Sequence, residues 1–568
     1  MRARPLTALL GVVDDHAKTY IEYKQLFEGG QSMTRMTGGD ALTKALITEG
    51  TETVFGIPGV QLDGLTDGMY RHQGELHLMV PRHEQTTTYM ADGYHRVTGR
   101  PGVAMVVPGP GVLNAGAGLA TAYACSSQVL LLAGTIPSTQ VGQGLGALHE
   151  IPAQTETLRG LTKWTGTATC AEEIPELVHE AFRQMRTGRP RPVALEVAPD
   201  ILHAVADIEV GAPFEITTPK VDGADLAQLV ELLNSSKRPV IYAGGGVKGE
   251  RAFSLLAQLA DLLDAPVVMS ENGRGAIDAR DPHALPAFAL WELRDRADAI
   301  LSLGSRFVTP FGQQMNTGDA RVALVNIDAD DLAKPRHADI AVLADATAVL
   351  EALVGALGKR ASWQGEIAVM RAECDRRVRE LVAPQMEFID AIRAAMPADG
   401  VYVNELTQIG YVSTYGFPVQ APNSYVWPGY QGTLGYAMPT ALGAAVGAAG
   451  RPVVVVTGDG GIGWSLQELA TAKRYNIPVV IVLFEDKRFG NVWRIQRDRY
   501  EGRFIGSDLV NPDFETLAKA FGVRFTLAED AAAVNKAVAE GIAAGEPTLV
   551  TVPVDVFPTP WPFIHEPH

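Results

Sequence analysis

The sequence predicts an α/β protein of three Rossmann-like domains, each built on a parallel sheet with helices against its faces. Three observations carry this. Apolar runs such as 453–456 and 478–484 are short, rich in β-branched residues and closed by turn signals, as buried strands are. Between those two runs, residues 464–474 place Leu466, Leu469 and Ala470 at helical spacing, so the local unit is strand, glycine turn, helix, strand. Units of this kind alternate along almost the whole chain, which is the pattern of parallel α/β domains.

Two irregular stretches divide the chain. One lies around 204–222 and carries Pro213, Thr217, Thr218 and Pro219; the other lies around 358–365 and precedes a helical segment leading into Met396. They set domains at 34–200, 215–355 and 380–558, with an N-terminal extension over 1–33 and a C-terminal tail over 559–568. The first and third domains resemble each other. VVPGPGVLNAGAGLATAYACSSQVLLLAG and VVTGDGGIGWSLQELATAKRYNIPVVIVLF each run strand, G-x-G turn, helix and apolar strand over nearly the same length, which points to a duplicated fold. Two such domains facing each other would enclose a cleft.

With 568 residues, 46% of them hydrophobic, the chain can bury several cores. Its net charge of -17 argues against a nucleic-acid or anionic-membrane partner, since a binder of phosphate backbone shows a basic face. Cys125, Cys170 and Cys374 are scattered and form no CxxC, so neither a disulfide framework nor a zinc site is expected. No apolar run approaches the ~20 residues that cross a bilayer. Arg2 and Arg4 ahead of the apolar residues 6–13 mimic a weak secretion signal, but Asp14 and Asp15 follow directly and no cleavage pattern is clear. The expectation is a cytoplasmic protein that acts on a small molecule, with residues 1–33 as an arm outside the core.

The segment 458–486 concentrates the chemistry. A right-handed crossover puts the carboxyl ends of both its strands on one sheet edge. Neighbouring strands lie about 4.8 Å apart, so Asp459 and Asp486, one at each strand end, can converge on a single hard cation. Gly458, Gly460 and Gly461 leave backbone N–H groups and a helix N-terminus free to hold phosphate. A metal ion with a diphosphate is the natural occupant.

Four motifs in order then resemble the acetolactate-synthase-like group of thiamine-diphosphate enzymes, over about residues 34–556. They are FGIPGV at 55–60, which contains Pro58 and Gly59; PRHEQTTTYMADGYHRVTG, which contains His83 and Glu84; GPGVLN, which ends at Asn114; and the GDG segment. The resemblance implies thiamine diphosphate and Mg²⁺ as cofactors. It puts Glu84 in the place of the glutamate that hydrogen-bonds the pyrimidine ring and so lets the cofactor lose its C2 proton. Read alone, Glu84 is equally a residue favoured at a helix start. Leu434 takes the position of the bulky residue that bends the cofactor, with Gly432 offering a carbonyl, and Gln408 is a candidate diphosphate contact. Asp459, Asp486 and the carbonyl of Arg488 take the metal positions. The two cofactor-binding domains of the family usually come from different subunits, which implies a homodimer or homotetramer.

One departure stands out: the family commonly ends the metal motif with two asparagines, and this chain has Glu485 and Asp486. Asp486 keeps an oxygen ligand, whereas Glu485 would add charge beside a diphosphate unless Lys487, Arg488 or a proton compensates. Gln61, Asp63, His83, His149 and residues 491–493 are expected near substrate. His149 aligns approximately with a substrate-facing glutamine of acetolactate synthases, and either an acid, base or donor role or a structural one fits it. Parts of the chain look more like the cyclic-diketone hydrolase branch, although the histidines of that hydrolase at the positions of Gln61 and Asp63 are missing. Carboligase, decarboxylase and diketone hydrolase stay open, as does a non-catalytic binding protein. The central domain either binds FAD, with Gly244, Gly245 and Arg274 as contacts, or has lost its nucleotide.

Overall fold

The structure is a computed structural model that describes residues 33–334 and 338–565; the predicted extension 1–33 lies, except for Met33, outside the described residues. Three six-stranded sheets, parallel throughout, form its frame. In the first, the spatial order is His77–Met79, Thr53–Gly56, Gly102–Val106, Val129–Gly134, Val193–Val197, Thr165–Thr167. In the third it is Tyr425–Val426, Val401–Asn404, Val453–Gly458, Val479–Glu485, Thr548–Pro553, Arg524–Leu527. Numbered by appearance within each domain, both orders are 2-1-3-4-6-5, so the duplication predicted from sequence is present strand for strand. The central sheet runs Ala284–Leu285, Val267–Met269, Pro239–Ala243, Ala299–Leu303, Arg321–Asn326, Ile340–Leu343, the order 3-2-1-4-5-6 of dinucleotide-binding folds.

The domains share their cores. Helix Glu84–Thr98 of the first domain crosses helix Ala437–Gly447 of the third, and Tyr89, Met90 and Tyr94 pack with Tyr436, Met438 and Leu442 in one buried cluster. Glycines set the distance of approach. A Cβ on Gly93 would lie 2.0 Å from the carbonyl oxygen of Thr440, and one on Gly443 would lie 1.9 Å from that of Met90. Glu84 precedes Gly93 by the same number of residues as Leu434 precedes Gly443, so the two sit at equivalent places in the duplicated fold.

Three details differ from the sequence expectations. Within the stretch read as irregular, Val205–Ile208 pairs antiparallel with Thr34–Thr37; neither segment is apolar enough to announce a strand, and only the pairing makes it one. The single helix expected over 464–474 is broken into a 3₁₀ turn, Leu466–Glu468, and a helix, Leu469–Arg474, behind a separate turn of helix at Asp459–Ile462. The described part of the tail, residues 559–565, is packed: Phe563 is buried, with its ring 4.8 Å from that of Phe288.

Candidate functional site: two half-sites on duplicated domains

In the third domain, strands Val401–Asn404 and Val453–Gly458 are parallel neighbours, with Asn404 level with Val456. Their outgoing connections part company at this point, as they do wherever strand order reverses in an open parallel sheet, and this leaves a crevice. A cleft of about 200 Å³ opens there, lined by Gln408, Leu434, Gly458, Asp459, Gly460, Gly461, Asp486, Arg488, Asn491 and Arg494. The neighbouring strand Val479–Glu485 runs in register from Val453 level with Val479 to Gly458 level with Phe484. Asp459 and Asp486 therefore leave adjacent strand ends into the same cleft, as their sequence positions predict.

The two carboxylates are held firmly and at electrostatic cost. Asp459 Oδ1 accepts the Gly460 N–H at 3.0 Å, and Oδ2 accepts the Lys487 N–H at 2.7 Å and the Asn511 amide at 2.8 Å. Burial nevertheless raises the Asp459 carboxyl above its ordinary value. Asp486 is pushed up to about 6, first by burial and then by the charge of Asp459. Two partly desolvated carboxylates, Asp486 raised by the charge of Asp459 and Asp459 by that of Glu485, suit a cation between them. Among the described residues no group of three or more His, Cys, Asp and Glu side chains could hold a metal ion. A cation here would take its remaining oxygens from the backbone, with the carbonyl of Arg488 at hand, and from a bound anion. Gly461 belongs to the same construction: a Cβ there would lie 2.2 Å from Oε2 of Glu405.

Glu405 is 1% exposed and is pushed up to about 6 by burial, although it accepts the Gly435 N–H at 2.7 Å and the Thr457 hydroxyl. It ties the turn before helix Ala437–Gly447, where Leu434 sits, to the phosphate turn. Gln408 does not leave its amide free for a phosphate. Its Oε1 accepts from Arg494 Nη2 at 3.1 Å and from the Phe557 N–H at 2.8 Å, which aims Nε2 at Asp486 Oδ2, 2.7 Å away. Gln408 thus orients a candidate ligand. Gly432, in left-handed conformation at φ 52°, is not among the residues lining the cleft.

The first domain assembles a second set. Glu84 is the first residue of helix Glu84–Thr98, is half-buried, and accepts from Asn114 Nδ2 at 3.0 Å. His83 caps that helix, its Nδ1 accepting the Gln85 N–H at 3.2 Å. Pro58 and Gly59 follow strand Thr53–Gly56 and precede the 3₁₀ turn Val60–Leu62, and Asp63 opens helix Asp63–Arg71. Gln61 donates to the carbonyl of Leu148 at 3.1 Å, which turns its Oε1 to Nδ1 of His149, 3.2 Å away. His149 itself holds φ 70°, a conformation costly for a residue other than glycine. No first-domain residue lines the cleft of the third domain.

A larger cavity, about 800 Å³, lies where the three domains meet. Gly245 and Gly246 of the central sheet's first turn line it, with Lys248, Arg96, Arg189 and Arg306. Loss of hydration pushes the Lys248 ammonium down to about 8. Arg274, expected with them, points elsewhere: its guanidinium donates to the carbonyls of Thr414 and Phe417. Tyr411 and Asn491 line both this cavity and the cleft.

Comparison with protein families matches residues 36–157 to the N-terminal TPP binding domain of thiamine pyrophosphate enzymes, residues 226–353 to their central domain, and residues 407–552 to their C-terminal TPP binding domain. The chain belongs to the thiamine-diphosphate-dependent enzymes. It is 33% identical to a protein of Pseudomonas aeruginosa named a probable 2-ketoarginine decarboxylase, over 92% of this chain and 94% of that one. It is 30% identical to the large subunit of acetolactate synthase isozyme 3 of Escherichia coli, covering 86% and 89%. A probable acetolactate synthase large subunit of Methanocaldococcus jannaschii is 31% identical, covering 92% of each. Within this acetolactate-synthase-like enzyme, sequence reasoning missed Asn511, Arg494 and Glu468. Each acts through a hydrogen bond to a residue far away in the chain, and no spacing rule signals such a bond. The structure also accounts for Glu485. Asn511 Nδ2 donates to both Glu485 Oε1, at 2.9 Å, and Asp459 Oδ2, and Glu485 does not line the cleft.

Proposed function

We propose that the protein is a Mg²⁺-dependent thiamine-diphosphate enzyme that breaks or forms a carbon–carbon bond beside the carbonyl of a 2-oxo acid, in a site shared between two copies of the chain. The reading rests on one observation: Glu84 with Asn114, and Asp459 with Asp486, occupy separate surfaces of two domains with the same strand order. When bound, the cofactor supplies a carbon nucleophile at its thiazolium C2, chemistry that side chains do not provide. In this reading the turn at Gly458, Gly460 and Gly461 binds the diphosphate; Asp459, Asp486 and the carbonyl of Arg488 hold Mg²⁺; Leu434 and the Gly432 carbonyl shape and fix the organic part. Glu84 of a second copy, steered by Asn114, hydrogen-bonds the pyrimidine. Pro58 and Gly59 flank it.

Exposed apolar side chains around both half-sites support the second copy. Leu148 is 63% exposed beside His149, and Ile505 is 82% exposed beside Gln496 of helix Gly490–Arg499, whose first residues line the third-domain cleft. A homodimer or a pair of dimers would cover them. Substrate would enter between His149 with Gln61 on one side and residues 491–493 on the other. The names of the relatives divide between synthase and decarboxylase, which differ in whether a second carbonyl compound or a proton is joined at the carbon that has lost its carboxylate. Decarboxylation of a 2-oxo acid is the favoured reading, because the relative at 33% identity bears that name. The central cavity suits a nucleotide such as FAD: a glycine turn after the first strand, the start of helix Gly249–Leu263 and Lys248 converge there. Three unpaired cysteines fit a reducing, cytoplasmic location.

Hydrogen exchange at C2 of added thiamine diphosphate, at saturating Mg²⁺, tests the enzymatic reading. Acceleration over free cofactor is expected, and its absence would leave only a binding protein. Product analysis with pyruvate and with 2-oxo acids bearing basic side chains separates aldehyde from ligation product. Absorbance near the flavin band of the purified protein reports on the cavity.

A further inference from the structure

Glu468 lies in the third domain, a few residues beyond Asp459, and is fully buried. Its carboxylate does not serve its own domain alone. It accepts the Arg82 N–H at 3.2 and 3.1 Å and the Thr86 hydroxyl at 2.9 Å, together with the hydroxyl of its neighbour Thr471. Arg82 and Thr86 flank Glu84. The carboxylate therefore sits at the N-terminus of helix Glu84–Thr98, where it accepts one backbone N–H, that of Arg82 just before the helix, and complements the helix dipole from another domain.

The residues beside Glu468 extend the same grip. The carbonyl of Trp464 accepts from Gln85 Nε2 at 3.0 Å, and the Tyr475 hydroxyl accepts the Val80 N–H at 2.8 Å. The segment that follows the phosphate turn thus fastens residues 80–86 at four points on both sides of Glu84. The local cap holds only the helix start, His83 accepting the N–H groups of Gln85 and Thr86, so the approach of residues 80–82 and the Thr86 hydroxyl are fixed from the third domain.

Resting on the thiamine-diphosphate reading, we propose that Glu468 is the positioning residue for Glu84. It fixes the angle at which Glu84 is presented, so that the strand-and-turn unit holding the diphosphate in one half-site also sets the geometry of the other half-site of the same chain. Glu468 touches neither cofactor nor substrate. Its effect is on the step Glu84 performs, not on diphosphate or metal binding.

The test compares the full-length protein with Glu468→Gln, Thr86→Val, Thr86→Ser and Glu84→Gln, measuring three quantities for each. These are thiamine-diphosphate affinity at saturating Mg²⁺, C2 hydrogen exchange of the bound cofactor, and thermal midpoint. Glu468→Gln and Thr86→Val should lose roughly 10- to 100-fold in exchange rate, as misoriented supporting groups do, with affinity within about threefold. Thr86→Ser, which keeps the hydroxyl, should restore the rate. Should Glu468→Gln fail to fold, the Thr86 pair carries the comparison. Unchanged exchange in Thr86→Val, or equal losses of affinity and rate, would overturn the proposal while Glu84→Gln still abolishes exchange. A wild-type protein with no exchange would instead overturn the thiamine reading and this one with it.

Discussion

At the scale of single residues, the departure at Glu485 loses its force once Asn511 is seen. The amide of Asn511 stands between the Glu485 and Asp459 carboxylates and donates to both. Glu485→Asn should accordingly leave Mg²⁺ and thiamine-diphosphate affinity within about threefold, since Glu485 does not line the cleft and acts on Asp459 only through its charge, which the Asn511 amide offsets. Asn511→Ala should weaken Mg²⁺ binding more, because Asp459 loses the amide that orients its Oδ2. Titration calorimetry of both variants checks the order, and the reverse order would show that Glu485 reaches the metal. Glu405 makes a different prediction. Burial holds it at about 6, above its ordinary 4.5, so the folded protein keeps a proton that the unfolded chain releases. The stability it contributes is complete below about 4.5 and is lost as pH rises through about 6, amounting to ~2 kcal/mol. Glu405→Gln, which stays neutral, should remove that slope. Unfolding of both proteins followed from pH 4.5 to 7.5 should show their stability difference changing across this window; parallel curves would contradict it.

At the scale of elements, the contact between helices Glu84–Thr98 and Ala437–Gly447 depends on glycine. Helix propensity alone would favour alanine at Gly93 or Gly443 by about 1 kcal/mol. The 2.0 Å and 1.9 Å approaches to carbonyl oxygens oppose this. Gly93→Ala and Gly443→Ala should each destabilise the protein by roughly 1–3 kcal/mol, as overpacking does, read as a fall in thermal midpoint. A rise would mean the helices can separate without loss. The same elements show what was legible in the sequence. The strands of the GDG unit announce themselves by β-branched runs, and their register follows from hydrophobic neighbours on both faces, so the convergence of Asp459 and Asp486 could be foreseen. The broken helix after Ile462 could not, because apolar spacing does not reveal where a turn tightens around a buried carboxylate. Nor could the aim of the Gln408 amide, which Arg494 and the Phe557 N–H decide from residues far along the chain. The strand Val205–Ile208 exists only through its partner Thr34–Thr37.

At the scale of the whole molecule, two domains of identical strand order each carry one of the two candidate residue sets, and a cavity of about 800 Å³ lies where they meet the central domain. The half-sites of one chain are tied together through Glu468 and the glycine-mediated helix contact, yet no first-domain residue lines the third-domain cleft. In the proposed dimer, the symmetry-related surfaces of a second copy would complete both sites at once, as a two-fold dimer with one self-complementary patch requires. The most direct test is complementation between Glu84→Gln and Asp459→Asn chains, each inactive alone, mixed under conditions that exchange subunits and read by C2 hydrogen exchange of thiamine diphosphate. A mixed dimer would carry one doubly altered site and one intact site, so random pairing should recover about a quarter of the wild-type rate. Recovery no greater than the sum of the two variants alone would contradict a site shared between chains.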